Sequence, residues 1–393
     1  MSVLARTLPP HGKARGPGCW VVVACVASIA CAPAEPETRW HESAWAASRP
    51  ALVAFLEELA TLSDTRIARE ARTALGALPD CPVLGARAPA GDPVPGLEAL
   101  ACLAPDDPLG QEVADAALVF QWAQSPAWRL RGRGVRDAEG WKFEARWEDP
   151  PSAGPLALLV PSTRAPGPDR LAASGRLVHL RMRPEGGLDL AALAPPGSQG
   201  DRLFRLRSGL FAAAILAGDF EAAIYEPESD GDAPRVAIAL GIRSRATAAP
   251  AVERFVADLR TTWSVTPSPL STPQGDGACL LGLRLLPEFA PCYVTGEEAL
   301  WVSWNPASLR QAIATPASTT ASRDVGRASL DLRAIETTDA LLARASGVEG
   351  APTPLDWPWE HAELELQRAE DGVQIGLSLR TANPPPVAAA VHR

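Results

Sequence analysis

Two stretches of strict alternation constrain what this chain can fold into more than anything else in it. In the first, Trp141, Phe143, Ala145 and Trp147 alternate with Lys142, Glu144, Arg146 and Glu148, behind the turn Asp137-Ala138-Glu139-Gly140 and residues 130–134. In the second, Leu364 and Leu366 alternate with Glu363, Glu365 and Gln367. The chain turns at Ala369-Glu370-Asp371-Gly372, and Val373, Ile375, Leu377 and Leu379 return on the apolar side. A period of two sends successive side chains to opposite faces of a strand. Each stretch therefore reads as a hairpin with one apolar and one charged face.

Around these hairpins the pattern is mixed. Leu52, Phe55, Leu56 and Leu59 recur at helical spacing behind Pro50, where a first-turn proline suits a helix. Ser63 or Asp64 would cap a second helix carrying Ile67, Ala71, Ala74 and Leu78. Residues 79–110 hold Pro82, Pro89, Pro93, Pro95, Pro105 and Pro108 and read as a long loop, ordered only if a disulfide pins it. Further on, residues 202–216 read as a buried helix ending near Gly218, and 220–225 with 236–242 as paired strands. Val252, Phe255, Val256, Leu259 and Trp263 mark an amphipathic helix starting near Pro250. Strands are expected at 279–285, 291–295 and 299–304, then a helix capped by Asn305-Pro306 and running through Ile313. This order gives an α+β fold, with largely antiparallel sheets, packed helices and a helical N-terminal segment. Residues 177–182 before 188–193, and 329–335 before 341–345, each read as strand then helix beside a hairpin. An internal duplication is one way to account for that.

The N-terminus addresses location. Residues 1–18 carry Arg6, Lys13 and Arg15 and no acid, and residues 19–30, CWVVVACVASIA, carry no charge. A basic region followed by a short apolar run defines a secretory signal. The run is too short for a membrane-spanning helix, which needs about 20 residues. Ser28-Ile29-Ala30-Cys31 resembles the lipobox of bacterial lipoprotein precursors, with Ser28 where Leu or Val is commoner. The resemblance implies that Cys31 becomes the first residue and carries a lipid. Val22-Val23-Ala24-Cys25 as the box, ordinary cleavage after Ala32-Pro33-Ala34, and an uncleaved anchor remain alternatives. The expected organisation is a signal peptide at 1–30, a stalk at 31–47, a helical segment with its Pro-rich loop at 48–110, an α+β domain at 111–381 and a disordered tail at 382–393. The large domain could split near 200 or 315.

A second resemblance lies between about 200 and 313. The apolar helix ending at Gly218, the strand VAIALGIR, its amphipathic helix and YVTGEEALWVSWNPASLRQAI resemble the repeated αβ units of exported bacterial lipoproteins grouped as a domain of unknown function. That resemblance covers under a third of the chain and implies no activity and no functional residue.

Of seven cysteines, Cys19 and Cys25 leave with the signal and lipidation uses Cys31. Cys81, Cys102, Cys279 and Cys292 remain, an even number suited to disulfides in an oxidising compartment. Three connectivities exist, and proximity favours Cys81–Cys102 and Cys279–Cys292; four buried thiols are the alternative. Formal charge is −9 for the whole chain, and losing the three leader cations makes it −12. Binding to nucleic acid needs concentrated Lys and Arg, so that partner class is excluded, and anionic membrane surfaces gain nothing from such a balance.

Catalytic signatures are missing. His41 opens HESAW, but a zincin needs a second His where Trp45 stands. His392 is in the tail, while His179 and His361 share strand parity with charged neighbours and read as solvated. No GxSxG or GxxxxGK occurs. Glu57-Glu58 and Glu297-Glu298 read as exposed charge, and the row Arg129, Arg131 and Arg133 as partners for Glu144 and Glu148 across strands. Trp122, Trp128, Trp141, Trp147, Trp301, Trp304, Trp357 and Trp359 read first as core. No catalytic residue, cofactor or metal ligand is assigned. The expectation is a non-catalytic lipoprotein of the bacterial cell envelope, on its periplasmic side or outer membrane, acting through protein contact or as a structural component. A carrier or sensor of a hydrophobic ligand and a hydrolase with an unrecognised site are the competing classes.

Overall fold

The computed structural model describes residues 43–61, 66–88, 100–104, 106–113, 117–125, 128–150, 152, 155–187, 215–228, 235–282, 290–314, 327–333, 335 and 358–381. The leader, Cys31, His41, the Ser63 and Asp64 caps, the helices expected at 188–193, 202–214 and 341–345, and the tail after 381 lie outside them. In chain order the elements are β1 (Ser43–Ser48), α1 (Arg49–Ala60), α2 (Arg66–Ala77), β2 (Val83–Ala88), β3 (Ala101–Cys102) and α3 (Pro108–Glu112). Then come β4 (Leu118–Ser125), β5 (Trp128–Arg136), β6 (Gly140–Glu148), a 3-10 turn (Pro155–Leu159), β7 (Arg176–Met182), β8 (Leu216–Tyr225), β9 (Arg235–Ile242) and α4 (Arg245–Trp263). The chain continues through β10 (Thr266–Thr272), β11 (Gly275–Leu281), β12 (Cys292–Thr295), β13 (Ala299–Ser303), α5 (Pro306–Ala314), β14 (Arg327–Arg333), β15 (His361–Ala369) and β16 (Gly372–Arg380).

All sixteen described strands join one antiparallel sheet in the order β10-β11-β12-β13-β9-β8-β7-β14-β15-β16-β6-β5-β4-β1-β2-β3. This corrects the α+β expectation: the molecule is predominantly sheet, with helices as covers. The discrepancy comes from strands such as SAWAAS in β1, VLGARA in β2 and TPSPLST in β10, whose small residues and prolines lack the usual strand signature. Strand formation follows packing context more than intrinsic preference. Residues 43–47, expected in the stalk, form with Ser48 an interior strand between β2 and β4. The Pro-rich loop contains β2, β3 and the start of α3. Helix α4 starts at Arg245, a turn before Pro250, with the Ser244 side chain accepting from the Thr247 amide. Leu216, expected at the end of a helix, begins β8.

Connection order repeats along the sheet. Set aside β10–β13 and their helices, and β9-β8-β7-β14-β15-β16 runs in the same relative order as β3-β2-β1-β4-β5-β6, the two series meeting at the β16–β6 seam. The strand-then-helix match proposed from sequence does not follow this scheme, because β7 and β14 are adjacent, paired strands rather than counterparts.

The apolar side of the central strands carries most of the core. Leu52, Leu56 and Leu59 of α1 bury against Trp141, Leu377, Leu379 and Trp359. Phe55 meets Trp141 edge-on at 5.3 Å and stacks near Trp359 at 5.9 Å. Such burial contributes about 1.5–3 kcal/mol per large side chain. Farther along this side α4 lays Val252 and Val256 on Leu240 and Ile242. Among the described residues the opposite side is covered only at its ends. Leu109 of α3 and Val113 just after it sit on Ala44, Ala46 and Val119; α5 and residues 171–172 sit on Ala223, Tyr225, Ala237 and Ala239. Between those covers the sheet shows its charged face. No helix among the described residues is long and apolar enough to cross a membrane.

Candidate functional site

Alternation on β7 and β8 builds a polar cluster under the cover of the β9 end. Arg181 lies opposite Glu221 and His179 opposite Ala223, so His179, Arg181, Asp219, Glu221 and Tyr225 share one face. Residues 161–175 cross over that face without regular secondary structure, apart from an isolated bridge at Pro161. Main-chain amides of this strap point at the acids: Gly167 donates to Asp219 Oδ2 at 3.1 Å and Arg170 to Glu221 Oε2 at 2.5 Å. Arg181 donates to the Gly167 carbonyl, and the Tyr225 hydroxyl to that of Ala172 at 2.9 Å. Trp301 Nε1 donates to the Arg170 carbonyl at 3.2 Å.

Four guanidiniums balance the acids. Arg170 and Arg183 reach Asp219 at 2.5 and 3.0 Å, Arg181 reaches Asp169 at 2.8 Å, and Arg176 approaches Glu221 at 3.7 Å. His179 Nε2 and Glu221 Oε1 are 2.8 Å apart. Burial pushes the Asp219 carboxyl up, but the charges and hydrogen bonds of Arg170 and Arg183 outweigh it and hold it below the usual carboxylate range. Burial also raises the Tyr225 phenol. Gly241 is part of this packing, since a Cβ there would stand 2.3 Å from Asp219 Oδ1.

Asp169, His179 and Glu221 offer ligand atoms within 4.8 Å of one another, close enough for one cation. The surroundings do not suit it. Arg181 already occupies Asp169, Arg176 faces Glu221, and a divalent ion would enter beside both cations. The His179–Glu221 pair has the form of a carboxylate-oriented base. With Glu221 only 1% and His179 8% exposed beneath the strap, it is closed to substrate. The chemistry of this group is ion-pairing that latches an irregular segment onto the sheet.

The second polar feature is open. On the face that β7 and β8 share with the central strands, β5 and β6 present Arg129, Arg131, Arg133, Lys142, Glu144 and Arg146, all exposed. Glu363 on β15 is partly exposed and Glu365 exposed. Arg133 pairs with Glu144 at 3.0 Å and Arg380 with Glu363 at 3.7 Å; Arg131 pairs with Glu112, and Arg146 with Asp371.

The sulfurs of Cys81 and Cys102 lie at bonding distance, as do those of Cys279 and Cys292. The second pair faces across β11 and β12 with Cα atoms 3.9 Å apart, closer than the 4.4–6.8 Å usual for bridges. His179, expected in solvent, is buried, because its face of β7 passes under the strap. His361 is partly covered and lies 3.2 Å from Asp331. Glu58, expected to be exposed, accepts from Trp141 Nε1 at 2.9 Å and pairs with Arg136 at 2.6 Å; Glu297 is exposed beside Arg245. Of the Arg row, Arg133 takes the expected Glu144, whereas Arg131 takes Glu112 from the α3 side. Trp122, Trp141, Trp147, Trp301 and Trp359 are buried, as core reading expects. Sequence reasoning missed Asp169, Arg170, Asp219 and Glu221. The available signal was the run Asp219, Glu221, Ala223, Tyr225, in which two acids share a strand face with residues bound for the core. A scan against family models finds no match to this chain, and searches of curated proteins and of solved structures find none either.

Proposed function

We propose that this chain is an exported protein, lipid-anchored at Cys31 in the bacterial cell envelope, which acts without catalysis by presenting its open charged sheet face to a protein partner. The observation that carries the export reading is cysteine pairing. Cys81 with Cys102 and Cys279 with Cys292 account for every cysteine that remains once Cys31 is acylated and the preceding residues are removed. Bridges of this kind persist in oxidising compartments. Contact rather than catalysis is supported by the cluster at Asp219 and Glu221, whose charges are spent on holding the strap. The exposed residues of β5, β6 and β15 are left as the broad polar surface.

Cells fed an alkyne-tagged fatty acid test the anchor. The chain should incorporate the tag and sediment with membranes, and Cys31→Ser should lose both properties. Tag-free wild-type chain in the soluble fraction would overturn the anchor.

A further inference from the structure

The open face carries a charge pattern that is inverted by its own local symmetry. At the β6–β16 seam Glu144 lies opposite Gly376. Outward from these, Arg133 lies beside Glu144 on one flank and Glu365 beside Gly376 on the other. A half-turn about the normal at that point carries β5 onto β15, Arg133 onto Glu365 and Arg131 onto Glu363. One flank is thus basic where its counterpart is acidic, about three strand spacings or ~14 Å away. Arg131 and Arg133 side chains are 57% and 58% exposed, so they are available to an approaching surface.

We infer that this face is a contact between two copies of the chain, packed sheet on sheet about a two-fold axis running along the strands. The inference rests on the contact reading above and names its partner. Such an axis lays β5 of each copy over β15 of the other, so Arg133 meets Glu365 twice. A two-fold interface uses the same patch on both subunits and must be self-complementary, which Arg133 and Glu365 provide because they stand level on the row through Glu144 and Gly376. Four strands of nine residues each cover roughly 19 by 30 Å, on the order of 550 Å² per copy. That is near the lower bound of specific interfaces, and its charges are solvated and screened by salt. The dimer is therefore weak and sensitive to ionic strength.

Sedimentation equilibrium of the full chain isolated from its envelope, in density-matched detergent, tests this. The expected result is a dimer at about 50 mM salt that dissociates at about 500 mM. Arg131→Glu with Arg133→Glu, or Glu363→Arg with Glu365→Arg, should each weaken self-association by roughly ten-fold or more. An equal mixture of the two variants should recover a heterodimer, because acidic residues at 133 and 365 of one copy then meet basic residues at 365 and 133 of the other. Recovery on mixing also shows that both variants are folded. A monomer at every salt concentration, a dimer indifferent to both charge reversals, or a mixture that stays monomeric overturns the proposal. A monomer that still carries its lipid removes the dimer and leaves the anchor standing; an unlipidated dimer does the reverse.

Discussion

Asp219 sits among Arg170, Arg183 and the Gly167 amide with its side chain 2% exposed. Its carboxyl titrates lower in the folded chain than in the unfolded one, where about 3.8 applies. A lowered carboxylate contributes stability that is fully present above the unfolded value and is lost as pH falls through the folded one. Acid should therefore loosen the strap as pH drops below about 4, the unfolded carboxylate value. Asp219→Asn should remove that part of the acid limb and leave two guanidiniums facing a neutral group, at a cost of roughly 3–5 kcal/mol near neutrality. Denaturant melts of both proteins across pH 2–7 check this; identical acid limbs would remove Asp219 from the account. Little of this was legible in the sequence. Parity placed His179 with Arg181 and Arg183 on a polar face correctly, but nothing local announces that residues 161–175 fold back over it. Burial there is set by a crossing segment distant in sequence from β8.

At the scale of elements, legibility followed the strength of alternation. β5–β6 and β15–β16 were plain because aromatic and aliphatic residues alternate with charged, polar or small ones over nine residues. Helix α1 was equally plain from Leu52, Leu56 and Leu59, all now buried. β1 and β2 were hidden because Ala44, Ala46 and Gly85 fill positions where small size is what packing requires. β10 was hidden by Pro267 and Pro269. These suit an outermost strand, where missing N–H donors discourage further pairing. The cysteine pairs act at this scale too. Cys279 and Cys292 tie β11 to β12 across a separation of 13 residues, which the loop-entropy model rates at about 3 kcal/mol. Replacing both with Ala should lower the melting temperature and speed amide exchange in β10–β12, while β5–β6 keeps its protection. Uniform loss of protection across the sheet would show that this edge does not open separately.

For the whole molecule, one continuous sheet explains why neither hairpin stands as a separate unit: β6 and β16 pair along their full nine-residue lengths. Among the described residues its apolar side is roofed by α1, Trp359 and α4, and its other side only at the ends. The proposed contact role rests on the exposed centre, and the proposed export on the paired cysteines. Intact mass of the chain isolated from its envelope, denatured without reduction and alkylated, tests location and bridges together. The expected chain starts at Cys31, is heavier by a diacylglyceryl group and carries no alkylation at Cys81, Cys102, Cys279 or Cys292. A chain that retains Met1, or one whose four remaining cysteines all take up the alkylating agent, would contradict it.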